Sequence, residues 1–141
     1  MDFNQQIIEE FRSNRGHVET MGFGGRLVLI HNFGAKSGAE RINPTMGIPT
    51  QDGWLVAASA AGASKHPDWY HNLLANPEVS IEVPTADSES GIGAVQVRAH
   101  DLTGTERDQA WERFTSLSPG FAEYEQKAGD RVIPVLHLVR R

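Results

Sequence analysis

Phe3, Ile7, Ile8 and Phe11 fall on one face of a helix, with Glu9, Glu10 and Arg12 on the rest. Gly16 suits a C-terminal stop, so the spacing predicts a helix over about 3–15. Such a helix packs on its own domain or on a partner subunit. A helix lying on a membrane surface usually carries more basic residues. The pattern then shortens. Leu27-Val28-Leu29-Ile30 reads as a buried strand, Phe33 to Gly38 as a turn, and residues 41–48 as the returning strand. Gln51-Asp52-Gly53 is expected to form a hairpin turn, with Asp-Gly supplying the positive φ, and residues 54–59 a third strand.

Small residues from Ala60 to Ser64 make a loop. Pro67 suits the first position of the helix that follows, and Pro77 disfavours its continuation past Asn76. Val79, Ile81 and Val83 alternate with Ser80 and Glu82, as in a half-buried strand. Pro84 to Gly93 is a polar hairpin loop, and Val95 and Val97 begin a strand reaching about Leu102. Thr103 and Glu106 have capping-box spacing before a helix carrying Ala110, Trp111, Phe114 and Leu117. Ser118-Pro119 restarts a short helix to about Ala128. Val132 to Val139 forms a last strand, too apolar for a free edge.

Six strands joined mostly by hairpin-length connections argue for an α+β fold. The antiparallel sheet is expected to curl into a barrel with helices packed outside. The 141 residues suit one domain over 1–141, with no internal repeat. With no cysteine, disulfides, zinc–thiolate sites, iron–sulfur clusters and cysteine catalysis are excluded. A net charge of -5 gives nucleic-acid binding no electrostatic support, so any anion site must be a local basic cluster. The N-terminus has no basic or apolar leader region, and no apolar run approaches the ~20 residues of a membrane span. A soluble, cytoplasmic protein is expected.

Two segments suit anions. Lys36 lies between Gly34 and Gly38, beside Ser37, with Arg41 three residues beyond; glycine-freed amides next to a cation make a phosphate site. The same residues also suit an ordinary surface hairpin. Ala58 to Lys65 combines small residues, close backbone approach and a following helix N-terminus, or is simply a compact strand-to-helix connection. His66 and His71 are five apart where helical zinc pairs are four apart, so no metal site is expected. His66 better suits a pocket wall or a helix cap. No nucleophile elbow occurs around Ser59 or Ser64. Trp69 and Tyr124 suit either the core or the border of a planar ring. With no redox or hydrolytic group of its own, an enzyme of this kind relies on a cofactor.

Gly34-Ala35-Lys36-Ser37-Gly38 with Arg41, Asn43 and Pro44 resembles the first signature of the deazaflavin-dependent nitroreductases. Ala58-Ser59, Gly62-Ala63, the run from His66 to Leu73 and Asn76-Pro77 are similar to the second. Glu106-Arg107-Asp108, Trp111, Pro119-Gly120-Phe121, Tyr124 and Ile133-Pro134-Val135 match the C-terminal pattern. The resemblance implies a split, FMN-binding-like β-barrel. It also implies coenzyme F420 in a groove, giving a hydride to a small electron acceptor such as a quinone, enone or nitro compound. Lys36, Ser37 and Arg41 would hold the phosphate or oligoglutamate tail, and Asn43 and Pro44 would border the deazaflavin. Ala58, Ser59 and Ala60 would line it through their backbone, and Lys65, Pro67, Trp69 and Asn72 would complete the wall. Tyr124 and Ser59 are the candidates to hydrogen-bond the acceptor or relay a proton. A homodimer and peripheral membrane contact are compatible with such a barrel. The rivals are an FMN-bound reductase or oxidase and a non-catalytic binder of the cofactor or a lipid-like ligand. Ala60 replaces a lysine of several members, Ala35 an arginine and Phe121 a tyrosine, and Met46-Gly47 also departs. Cofactor binding is therefore the firmer expectation, and nitroreduction the weaker.

Overall fold

The computed structural model describes residues 2–141. Helix α1 (Phe3–Ser13) is capped by Asp2, whose carboxylate accepts from the Gln5 N–H at 2.8 Å. It stops short of Gly16 because Arg15 and Gly16 take φ of 57° and 83°, and the Gly16 N–H turns back onto the Phe11 carbonyl. Ile7 and Phe11 are its buried face.

The strands are β1 (Leu27–Phe33), β2 (Glu40–Pro49), β3 (Gly53–Ala57), β4 (Glu78–Pro84), β5 (Ile92–Asp101) and β6 (Val135–Arg140). They close into an antiparallel barrel in the order β1-β2-β3-β6-β5-β4. The fold is thus the expected α+β barrel, with β6 between β3 and β5. Alternation sends Val28, Ile30, Val56, Ile81, Val97, Leu136 and Leu138 into one core. Helix α2 (Asp68–Ala75) adds Trp69, Tyr70 and Leu73 to it.

The opposite faces of the strands serve two outer layers. α1 packs on Leu27, Leu29, Ile42 and Met46. Helices α3 (Gly104–Leu117) and α4 (Pro119–Ala128) put Trp111, Phe114 and Phe121 on Leu55, Ala57 and Val135. Between these layers the barrel is split. β2 pairs with β1 over residues 40–46 but with β3 only over Gly47–Pro49. Pro44 sits on the unpaired stretch, where its missing N–H costs no ladder bond to β3.

Some local expectations change. Gly53 is not in the positive-φ region; it is required because a Cβ there would collide with the Leu138 carbonyl of β6. Thr103 is the N-cap of α3 but makes no side-chain cap bond. The last strand begins at Val135, not Val132. Residues ahead of it serve other segments: the Ile133 carbonyl accepts from Arg107 and the Pro134 carbonyl from Ala58 N–H.

α1 is also pinned by charge. Glu82 of β4 accepts from Arg12 Nη2 and from His31 Nε2, each at 2.6 Å. Burial alone would raise the Glu82 carboxyl, but these bonds outweigh it and hold it below the usual carboxylate range. A lowered carboxylate stabilises above its unfolded value, about 4.3, and loses that contribution as pH falls through the folded value. Glu82→Gln is expected to cost about 1 kcal/mol at neutral pH, the partly exposed Arg12 limiting the effect. The difference from wild type should shrink as pH falls below the ordinary carboxylate value of about 4.3, as measured by urea unfolding across a pH series.

Candidate active site

The split opens into a cavity of about 310 Å³. Its floor is Pro44, Thr45 and Met46 of β2; one side is Phe3, Asn4 and Ile7 of α1, the other Phe121 and Tyr124 of α4. Ser59, Ala60, Ala61 and Trp69 line it further, with Phe23, Leu27 and Ala57. Two further concavities continue the space. Asn4 also belongs to a groove between α1 and β2 that includes Arg41 and Asn43. Arg41 also belongs to a depression containing Lys36, Ser37, His71 and Asn72. The two anion turns predicted from sequence thus lie along one continuous surface.

The turn at 59–62 has an unusual backbone. Ser59 is right-handed (φ -74°, ψ -33°), whereas Ala60, Ala61 and Gly62 take φ of 48°, 52° and 79°. Left-handed alanines cost about 1–2 kcal/mol each. The turn's own hydrogen bonds run from Gly62 N to Ser59 O and from Ala63 N to Ala60 O, leaving the Ser59, Ala60 and Ala61 amides unused by it. A right-handed residue followed by a left-handed one brings successive amides onto one concave side, which suits a partial negative charge. Gly62 is pressed on α4: a Cβ there would lie 2.9 Å from both the Tyr124 carbonyl and the Lys127 Cβ.

Arg131 braces the same turn from behind. Its Nη2 donates to Ser59 O (2.6 Å), Nε to Ala63 O (2.8 Å), and Nη1 to Ala58 O (3.1 Å) and His66 Nδ1 (2.9 Å). Burial, then the Arg131 charge, lower the His66 pKa from its ordinary value. A neutral ring with Nδ1 as acceptor fits this bond.

A chain of buried amides organises the other end. Asn32, fully buried on β1, donates to Asn43 Oδ1 (3.0 Å) and accepts from Asn72 Nδ2 (2.9 Å). Asn72 Oδ1 accepts from the Ala35 N–H at 2.9 Å, fixing the Lys36 turn to α2. Ser37 Oγ accepts from the Ala39 N–H and closes that turn. Lys36 and Arg41 are exposed and make no side-chain ion pair or hydrogen bond with the described residues.

Lys36, Ser37, Arg41, Asn43, Pro44, Ser59, Ala60, Trp69, Asn72 and Tyr124 therefore all border this surface. Ala58 lies off it, with its side chain in the barrel core, its N–H on Pro134 and its carbonyl on Arg131. Lys65 is exposed on the outer loop. Pro67 is the N-cap of α2 rather than its first residue, and neither lines the cavity. Asn72 has its amide engaged by the protein at both ends, so it shapes the Lys36 turn. Sequence reading missed Phe3, Asn4, Ile7 and Phe23 as wall residues, and Arg131 and Asn32 as supports. The amphipathic pattern of residues 3–11 signalled a buried face but not what it would cover. No group of three or more metal-ligating side chains occurs among the described residues.

Residues 4–139 match the model of the F420H(2)-dependent quinone reductase family. The chain belongs to this family. It is 32% identical over 114 residues to the F420H(2)-dependent quinone reductase Rv1261c of Mycobacterium tuberculosis, covering 81% of this chain and 73% of that protein. A solved F420-H2 dependent reductase, FDR-A, superposes with a TM-score of 0.68 at 36% identity, over 80% of this chain and 93% of the other. The haem storage protein HutZ of Vibrio cholerae, at 14% identity and a TM-score of 0.62 over 100% of this chain and 92% of its own, shares the fold alone.

Gly62 offers a direct test of the turn. Gly62→Ala adds left-handed strain and overpacking on α4, and is expected to destabilise by about 2–4 kcal/mol. Gly38→Ala, at φ 70° with open space around it, should cost only about 1 kcal/mol. Denaturation midpoints of the two variants check the contrast.

Proposed function

We propose that this protein is an F420-dependent quinone reductase whose coenzyme lies along the surface from the Ser59–Ala61 turn to the Lys36 turn. The observation that carries the reading is the continuity of three features on a chain of this family. An apolar cavity opens at the barrel split, the left-handed turn at Ser59–Ala61 lines it, and two cations with no ion-pair partner among the described residues lie at its far end. The residues fit the coenzyme. Pro44, Met46, Trp69 and Phe121 supply apolar walls for a planar ring, and the amides of Ser59 to Ala61 suit its electron-rich carbonyl edge. Lys36 and Arg41 suit the phosphate. The groove along α1 sets Asp2, Glu9 and Glu40 against Arg41 and an Arg12 already paired with Glu82, whereas the Lys36 depression sets Lys36 and Arg41 against Asp68 alone, which favours the depression as the anion end.

Reduced F420, when bound, supplies a hydride from C5 of its deazaflavin. The chain's part is orientation and exclusion of water. α1 and α4 wall the cavity from opposite sides, and Phe3, Ile7 and Phe121 line it with apolar surface. Of the polar side chains on the cavity wall, which also include Asn4 and Thr45, the Tyr124 hydroxyl and Ser59 are the candidates for holding an acceptor oxygen or passing it a proton. A quinone suits this set, since its two carbonyls take hydrogen bonds and its ring takes the apolar walls. The same cavity suits an enone or nitro compound less securely, because Phe121 offers no hydroxyl where nitroreducing members carry tyrosine.

Titrating the purified protein with F420 and with FMN tests the reading. Saturable binding of F420, with weaker or no binding of FMN, is expected; failure to bind F420 overturns it. Lys36→Ala removes one charge-assisted contact and should weaken F420 binding by about 1.5 kcal/mol, roughly tenfold, less at high salt. Tyr124→Phe should lower kcat with quinone while leaving F420 affinity within about twofold, checked by steady-state kinetics beside the binding titration.

A further inference from the structure

We propose that Arg131 is a positioning residue of the coenzyme site: its guanidinium, bonded to the Ala58, Ser59 and Ala63 carbonyls and to His66, holds the Ser59–Ala61 turn in the shape that presents its amides to the cavity. This rests on the reading that the coenzyme occupies that cavity. Arg131 itself is not on the cavity wall.

Ala60 and Ala61 are alanines in a conformation that favours glycine, so the turn does not hold this shape on local preference. Something outside it must over-determine the geometry. Two contacts do so: Gly62 against α4, and the fork of Arg131. The three carbonyls that Arg131 gathers come from residues 58, 59 and 63, which bracket the two strained alanines. Drawing these carbonyls to one side fixes the peptide planes, and hence the direction of the amides between them. A planar guanidinium with five N–H donors does this; a lysine ammonium presents no fork.

His66 completes the clamp. Its Nδ1 accepts from Arg131, so the imidazole must be neutral. Protonation would remove the acceptor and set a cation against the guanidinium. The other groups facing His66 are Tyr70, His71 and, at longer range, Asp101. Tyr70 donates to Asp101, and burial followed by that bond pushes its phenol up to about 12, so it stays neutral. Asp101 favours His66 protonation, but burial, Arg131 and His71 disfavour it and prevail. The clamp is therefore intact at neutral pH and opens only as pH falls below the ordinary histidine value of about 6.5.

The test compares wild type with Arg131→Ala, Arg131→Lys and His66→Gln, all as full chains. F420 affinity, kcat and KM for a soluble quinone, melting temperature and amide hydrogen exchange are measured for each. In Arg131→Ala the F420 Kd should rise at least about tenfold, equivalent to about 1.4 kcal/mol. Exchange should quicken in the segment 58–66, while the quinone KM at saturating F420H2 stays within about twofold. Arg131→Lys should fall between. In wild type F420 affinity should decline on acidification below the histidine range. In His66→Gln, whose side-chain oxygen still accepts from Arg131, that acid limb should be lost. Unchanged F420 affinity in Arg131→Ala overturns the proposal, as does loss of melting temperature and quinone KM in parallel with affinity. Should Arg131→Ala not fold, an Arg131→Lys variant equal to wild type in affinity and exchange overturns it. If wild type binds no F420, the coenzyme reading falls and this role with it. If wild type binds and the variants bind equally well, the positioning role alone falls.

Discussion

The constraint on which this structure depends is the parting of β2 from β3. β2 has ten residues, yet only its last three pair with β3. A barrel closed along its whole length leaves no edge and, at six strands, no room for a ligand beyond its own side chains. Parting the two strands creates one short free edge. Pro44 sits on that edge without losing a ladder bond to β3, and residues of α1 and α4 face one cavity across it. The cavity is the space left between them.

Buried polar groups hold the two ends of that space. Asn32 sits inside the barrel with no exposure, where an unsatisfied amide costs about 1–3 kcal/mol. Its bonds to Asn43 and Asn72, and the bond from Ala35 to Asn72, link β1, β2, α2 and the Lys36 turn. At the other end Arg131 does the same for the Ser59 turn through four acceptors. Both devices place main chain rather than reactive side chains. That agrees with a family in which the coenzyme supplies the redox chemistry and the protein supplies its shape.

Electrostatics follows the same division. The chain is acidic overall, and several of its arginines are committed: Arg12 to Glu82, Arg98 to Glu78, Arg131 to carbonyls. Among the described residues, Lys36 and Arg41 have no ion-pair partner and lie beside a shared depression. A local cationic spot on a negative surface selects an anion by position rather than by bulk attraction.

Much of the fold was legible in the sequence because its signals are local. Alternation gave the strands, Pro67 and Pro77 bounded α2, and the apolarity of the last segment placed β6 inside the sheet. The Gly34–Gly38 and Ala58–Lys65 segments stood out because small residues beside cations have a backbone reason to be there. Their motifs, taken in order, named the family. Other features were invisible because they depend on residues far apart in the chain. Gly53 reads as a turn glycine, yet it is required by a carbonyl of β6 some eighty-five residues away. Arg131 belongs to no sequence motif, and only the α4-to-β6 connection brings it behind the Ser59 turn. Asn72 reads as a wall residue until its amide is found engaged on both sides. The sequence by itself determined the elements, the barrel class and the family, since periodicity and short motifs are properties of neighbours. Only the tertiary structure decided where the barrel splits, which helices face the split and which side chains hold its rim. Those depend on strand register and on hydrogen bonds between distant carbonyls, amides and one guanidinium.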